Sequence, residues 1–302
     1  MSAPVSDARL RPRRTMLYLS ADIDRHLNKA PVLPADSLIF DLHEAVSPEN
    51  KERARGKVAD ALRRGGFRGQ ELVLRLNRMD SPWFTGDLSL AEAARIDAVL
   101  LTGLESRDDV LAAELALDAA GAGGLPIMLM VESPRAVLGA AQMAAASARV
   151  SCLVVSNANL MVSMRLPETA DRIGLFASLS LVVLAARAAG IACVDGAHLD
   201  VSEAQACEYA CRQSRDFGFD GKAVIHPVQL AYTNDAFTPK PKDVERKRAI
   251  VAAMERAREQ GLPYALMDGK LLQPSVYDAA KRCIAVAELI ESRARQLGPS
   301  AN

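Results

Sequence analysis

The sequence lacks the features that mark several common classes of protein. Lysine and arginine together number 37, as do aspartate and glutamate, so no net charge favours nucleic acid or an anionic membrane as partner. No apolar run reaches the roughly 18 residues that a membrane-spanning helix needs. The first fifteen residues are polar and arginine-rich, without the apolar core of a signal peptide. We therefore expect a cytoplasmic protein, with residues 1–12 as a disordered tail.

Cysteine and histidine are scarce and scattered. The five cysteines form no disulfide framework, and their odd number fits a reducing compartment. Cys207 and Cys211 share one face of a predicted helix, but no nearby Cys or His pair completes a zinc site. No G-x-G-x-x-G follows the first predicted strand and there is no P-loop, which disfavours a nucleotide-binding open sheet.

Short apolar strands alternate with helical segments along most of the chain. The strands are nearly continuous hydrophobic runs, as expected when both faces of a sheet are buried. Their number, order and length predict a (β/α)8 TIM barrel over 13–238, with a doubly wound open sheet as the alternative. A polar loop is predicted after the sixth strand. The predicted strands are 16–19, 37–40, 72–76, 98–101, 127–131, 151–155, 193–197 and 223–225.

The composition changes from Pro239 onward. A proline-containing linker precedes a charged helix at 243–260, a turn-bearing segment at 265–274 and a last helix at 276–297. This part is too small to be a separate domain. We predict that residues 239–302 form a helical extension that acts as a lid over the barrel mouth or as a subunit contact.

Polar side chains stand at the ends of three predicted strands. Asp41 directly follows the second strand, Arg75 lies near the end of the third, and Glu132 directly follows the fifth. Barrels build their active sites at the carboxyl ends of the strands, so these residues are candidates for a site. Each also has a purely structural explanation, as a cap or as an ion pair that joins two strand ends.

These residues lie in motifs that resemble the HpcH/HpaI aldolase and citrate lyase superfamily, in particular the citrate lyase beta-subunit and malyl-CoA lyase branch. The resemblance extends from about Arg13 to Leu289, and the ordered set of motifs is specific. The matching segments are Arg14-Thr-Met-Leu-Tyr-Leu with R-S-x-L-F-V-P-G, Asp41-Leu-His-Glu-Ala-Val with D-L-E-D-A-V, Arg75-Leu-Asn with R-x-N, Val131-Glu-Ser with I-E-T, Gly221-Lys-Ala-Val-Ile-His-Pro with G-K-x-x-I-H-P, and Asp268-Gly-Lys with D-G-K.

The resemblance implies a homo-oligomer, trimeric or hexameric, that cleaves or forms carbon–carbon bonds in acyl-CoA thioesters with the help of Mg2+. In such a reaction a 3-hydroxyacyl thioester gives an enolate and a 2-oxo acid, which chelates the cation. By this resemblance Glu132 is a metal ligand, and Arg75 clamps the substrate carboxylate and stabilises an oxyanion. Arg14 and Asp41 are further substrate-binding candidates within the same motifs.

Several departures from the family pattern fall on strand ends or on the C-terminal segment. The second metal ligand, an Asp in the family's G-x-x-D-L, is Asn159 here, a weaker ligand without charge. The acidic pair of D-L-E-D becomes His43 and Glu44, and Leu101-Thr-Gly stands where the family has P-K. The acid/base Asp that a neighbouring subunit's lid supplies in the family is Gln273, which does not exchange a proton at neutral pH.

Two functions therefore remain open. The preferred hypothesis is a divergent carbon–carbon lyase that keeps Arg75 and Glu132, works with weak or no metal, and uses His43 or Glu44 as catalytic groups. The alternative is a non-catalytic or regulatory member that keeps the pocket but not the metal-dependent reaction. Either would take a small 2-oxo acid or an acyl thioester as its partner.

Overall fold

The structure, a computed structural model, describes residues 11–297. Most of the predicted disordered tail, residues 1–10, lies outside the described residues. Residues 13–237 form one compact unit, and residues 11–12 with 238–297 form another. Among the described residues, no helix has both the length and the apolar character needed to cross a bilayer.

The first unit is built on eight parallel strands. These are β1 (Thr15–Ser20), β2 (Ser37–Asp41), β3 (Glu71–Arg75), β4 (Ala98–Leu101), β5 (Ile127–Val131), β6 (Val150–Val155), β7 (Ala192–Asp195) and β8 (Gly221–Val224). They follow one another around a closed barrel, in which β1 pairs with both β2 and β8. The predicted (β/α)8 barrel is therefore confirmed.

Helices follow or separate these strands. They are α1 (Asp24–Lys29), α2 (Lys51–Arg64), α3 (Phe84–Ala93), α4 (Arg107–Ala119), α5 (Pro134–Ala144), α6 (Asn157–Ser163), α7 (Phe176–Ala189), α8 (Ala204–Phe217) and α9 (Gln229–Phe237). Ser106 caps α4 as predicted, in a capping box with Asp109. Helix α9 was not predicted. The segment between β6 and α7 was predicted as a polar loop, but its first part, Asn157–Ser163, is the helix α6.

Alternation along the strands decides which side chains reach the barrel interior. Ile39 and Val73 are buried in the interior cluster, as is Met130. Successive side chains of a strand point to opposite faces, so Asp41, Arg75 and Glu132, each two residues further on, continue the same inner face. The carboxyl ends of three strands thus direct charged groups toward the barrel axis.

The amino ends of the strands are closed by buried polar contacts. Arg13 donates two hydrogen bonds to the carboxylate of Glu71, at 2.8 and 2.7 Å, and Ser37 donates a third at 2.7 Å. Gly221 packs so tightly here that a Cβ would collide with the carbonyl oxygen of Arg13, which explains the glycine of the Gly221-Lys222 motif.

The second unit contains two helices and a hairpin. They are α10 (Pro241–Glu259), β9 (Ala265–Met267), β10 (Lys270–Leu272) and α11 (Pro274–Leu297). Asp268 and Gly269 form the turn between β9 and β10 with φ angles of 51° and 73°, the left-handed values that a tight hairpin turn uses. A role for this unit as a lid or subunit contact stays a prediction.

Candidate functional site

A cavity of about 470 Å3 lies at the carboxyl ends of the barrel strands. Its volume is in the range of small-molecule sites. Its wall includes four of the predicted site residues, Asp41, Glu44, Arg75 and Asn159, together with Tyr18. These residues come from four separate segments of the chain, so the barrel closure is what brings them together.

Arg75 is the central cation of this cavity, and only 3% of its surface is exposed. Its Nη1 donates to Asp41 at 3.1 Å, and both Nη1 and Nη2 donate to Oε2 of Glu44 at 3.0 Å. The ring of Tyr18 lies 5.6 Å from its Cζ. Burial lowers the pKa of Arg75, but Asp41, Tyr18 and Glu44 outweigh burial and raise that pKa, so the guanidinium stays charged.

The two carboxylates on Arg75 differ in their surroundings. Asp41 is buried opposite Arg75 in the β2–β3 register, and it also accepts from the backbone N–H of His43 at 2.7 Å. The side chain of Glu44 is 55% exposed, on the loop that follows. The His43 side chain is half-buried and, among the described residues, is not part of the cavity wall; burial and then Arg75 lower its pKa.

Lys51 fixes the loop that carries His43 and Glu44. Its Nζ donates to the carbonyl oxygens of Leu42 and His43, at 2.7 and 2.6 Å, and to Oδ1 of Asn77 at 2.7 Å. Lys51 was not among the predicted site residues. The sequence signal for it is a lysine at the start of the helix that follows the Asp41 motif.

Glu132 is held by three neutral donors. Oε1 accepts from the Thr102 hydroxyl at 2.6 Å and from the Gly103 N–H at 2.7 Å, and Oε2 accepts from Nδ2 of Asn159 at 2.9 Å. The same Nδ2 lies 3.4 Å from Oε1 of Glu44. Asn159 therefore joins Glu132 to the Glu44–Arg75 pair.

These donors do not fit a resident Mg2+. A hard cation needs oxygen ligands, but Asn159 directs its NH2 group at both carboxylates. With its NH2 group facing them, Asn159 gives these carboxylates a hydrogen-bond donor rather than a further ligand oxygen or the negative charge of an aspartate. In residues 11–297 no group of three or more His, Cys, Asp and Glu side chains is arranged to hold a metal. The amide of Asn159 satisfies the two carboxylates in place of a cation.

Arg14 is not part of this site, which corrects the expectation that it binds substrate. It precedes β1 at the amino end of the barrel, away from the cavity. There its Nε and Nη2 donate to Asp36, each at 2.8 Å. Its motif position reflects a structural ion pair.

A second buried network positions α6. Asn157 donates to Asp195 at 3.1 Å, and the same carboxylate accepts from Lys222 at 2.6 Å and from Arg172 at 2.7 Å. Burial raises the pKa of Asp195, but Lys222 and then Arg172 outweigh burial and lower that pKa below its usual range. Because Asn157 begins α6, this network also sets the place of Asn159.

Comparisons with known proteins agree with this architecture. The profile of the HpcH/HpaI aldolase/citrate lyase family matches residues 14–227. A (3S)-malyl-CoA thioesterase of Cereibacter sphaeroides is 35% identical over 279 residues, which cover 92% of this chain and 96% of the relative. The citrate lyase subunit beta of Escherichia coli is 28% identical over 295 residues, covering 96% and 98% of the two chains.

A crystal structure of CitE from Mycobacterium tuberculosis, in complex with magnesium, acetoacetate and coenzyme A, has the same fold. Its TM-score is 0.74 at 23% identity, over 93% of this chain and 99% of that one. The chain described here belongs to the HpcH/HpaI aldolase/citrate lyase family, in its citrate lyase beta-like part.

Proposed function

We propose that the protein is a carbon–carbon lyase of an acyl-CoA thioester, one that bears a hydroxyl and a carboxylate on its 3-carbon. The observation that carries this proposal is the buried Arg75 cation, which lines a ligand-sized cavity and whose Nη1 and Nη2 both contact the exposed carboxylate of Glu44. An arginine fork binds a carboxylate with two parallel hydrogen bonds. The names of two relatives contain malyl-CoA and citrate. They support a substrate that carries a thioester and a carboxylate.

The proposed reaction breaks one carbon–carbon bond. The carbinol oxygen loses its proton and becomes the carbonyl of a 2-oxo acid, while the bonding electrons pass to the enolate of the thioester, which then takes a proton on carbon. Arg75 binds the substrate carboxylate and stabilises negative charge on the adjacent oxygen. The proposed proton acceptor is His43, in the loop that also carries the cavity residue Glu44; burial and then Arg75 lower the pKa of His43.

Mg2+ takes no part in these steps, because the donors around Glu132 do not fit it. We propose that the wild-type protein binds this cation weakly, and that Glu132 serves to hold Asn159 at the cavity wall. Trimer or hexamer formation and a cytoplasmic location are likewise proposals from the resemblance.

A second candidate is a binding protein without this reaction. The neutral Asn159 amide lies between two carboxylates, where the resemblance implies a metal ligand. This arrangement favours a binding protein. Hydrolysis of the thioester is the other reaction that a relative's name supports. The products distinguish the three candidates.

The test is product analysis with (3S)-malyl-CoA, with and without EDTA. A lyase releases a 2-oxo acid, measured as its phenylhydrazone, and leaves no free thiol; this is the expected result, unchanged by EDTA. Free CoA thiol without a 2-oxo acid would make the protein a hydrolase. Binding without either product would make it a binding protein.

Arg75→Lys, which removes the fork but keeps the charge, should abolish most of the activity. The control is Arg78→Lys, because Arg78 is half-exposed and pairs with Asp80 in the loop after β3.

A further inference from the structure

Glu44 occupies the donors of the cavity that a ligand carboxylate would use. One of its oxygens lies 3.0 Å from both Nη1 and Nη2 of Arg75, and the other lies 3.4 Å from Nδ2 of Asn159. Three donor atoms thus surround one carboxylate that belongs to the protein itself.

Of the two carboxylates paired with Arg75, that of Asp41 is fixed in place, whereas that of Glu44 can move away from the guanidinium. Asp41 is buried and is fixed by a second hydrogen bond from the His43 backbone. Glu44 is more than half exposed, and exposed ion pairs contribute little to stability. Removing Asp41 would leave a buried cation poorly compensated, whereas turning Glu44 out returns its carboxylate to water.

The charge balance also requires an exchange. Arg75 carries one positive charge and already contacts the two carboxylates of Asp41 and Glu44. A third carboxylate, that of Glu132, lies nearby and is hydrogen-bonded to Asn159. Adding a ligand carboxylate to this set would bring like charges together at short range. A ligand anion is therefore accommodated only when Glu44 gives up its place.

We propose that Glu44 is a built-in competitor for the ligand carboxylate, so that a 2-oxo acid binds Arg75 and Asn159 by displacing it. This inference rests on the proposed function, since it assigns the subsite for the 2-oxo acid part of the substrate. The carboxylate of the ligand takes the Arg75 fork, and its neighbouring oxo oxygen accepts from Asn159. The exchange sets how tightly the site holds a small anion.

The experiment is calorimetric titration of the wild-type protein and Glu44→Gln with pyruvate, in buffer that contains EDTA. The variant removes the competing charge and keeps nearly the same shape. Hydrogen bonds to charged groups are the strong ones, so we expect the variant to bind pyruvate about tenfold more tightly. Glu49→Gln is the control, because this exposed glutamate accepts a hydrogen bond from Ser47 and does not contact Arg75. The dissociation constant of this variant for pyruvate should equal that of the wild type.

Equal or weaker binding by Glu44→Gln would overturn the inference, and so would an equal gain in Glu49→Gln. Turnover of (3S)-malyl-CoA by the wild type decides the proposed function separately. Turnover together with an unchanged Glu44→Gln affinity would overturn only the role of Glu44. Absence of turnover together with a tightened, Arg75-dependent affinity would overturn only the lyase and leave the competitor in place.

Discussion

The substitution Asn159→Asp tests whether an amide has replaced a cation. Nδ2 of Asn159 donates to Glu132 at 2.9 Å, so an aspartate there would set two carboxylates against each other. At about 4 Å and an effective dielectric constant of about 20, two like charges cost about 4 kcal/mol. Both side chains are partly exposed and can move apart, so we expect a loss of about 2 kcal/mol. In a protein of 302 residues that lowers the Tm by about 3 °C.

The same substitution should create a response to Mg2+. A cation that binds only the folded protein, at about a hundred times its Kd, contributes about 2.7 kcal/mol and would offset the loss. The assay is thermal unfolding of wild type and variant, in EDTA and in Mg2+. We expect an unchanged Tm for the wild type and a rise with Mg2+ for Asn159→Asp alone.

Asn157→Asp is the matched control for this experiment. It also places a new carboxylate beside an existing one, that of Asp195. Asp195 already forms ion pairs with Lys222 and Arg172, so it is not available to bind Mg2+. This variant should lose stability without recovery in Mg2+. A wild-type Tm that rises with Mg2+ as much as that of Asn159→Asp would refute the account of the donor set.

Three further predictions concern other residues. Arg75→Lys should weaken pyruvate binding about tenfold or more in calorimetry, because an ammonium cannot form the two-pronged contact. Ser106→Ala removes the cap of α4 and should lower the free energy of unfolding in urea by about 1 kcal/mol. The pKa of Asp195 is lower in the folded protein than its ordinary value of 3.8, so the stability it contributes is present above that pH and is lost on further acidification. Asp195→Asn should remove this part of the pH dependence of unfolding.

The barrel could be predicted from the sequence because its strands carry a simple signal. Buried parallel strands are continuous apolar runs, and each run here lies within two residues of an observed strand. Helix α6 was missed for a physical reason. It is short, begins with Asn157 and has no side-chain cap, so tertiary contacts to Asp195 and Gly196 hold it rather than local sequence.

The site was predictable only in part. Asp41, Arg75 and Glu132 follow from their places at strand ends, since strand direction decides where such side chains point. The Glu44–Arg75 pair and the amide bridge of Asn159 depend on side-chain contacts between β3, β5, α6 and the loop after β2, which no spacing in the sequence records. Arg14 was misassigned because its match to the family motif outweighed its place before the first strand, which puts it at the amino end of the barrel.

The most direct test of the account is a crystal structure of the protein with pyruvate, prepared in EDTA. We expect the pyruvate carboxylate to lie within hydrogen-bond distance of Nη1 and Nη2 of Arg75, with the oxo oxygen near Asn159 and Glu44 turned toward solvent. Pyruvate bound elsewhere, with Glu44 still on Arg75, would contradict it. So would binding to Glu132 that occurs only when Mg2+ is supplied.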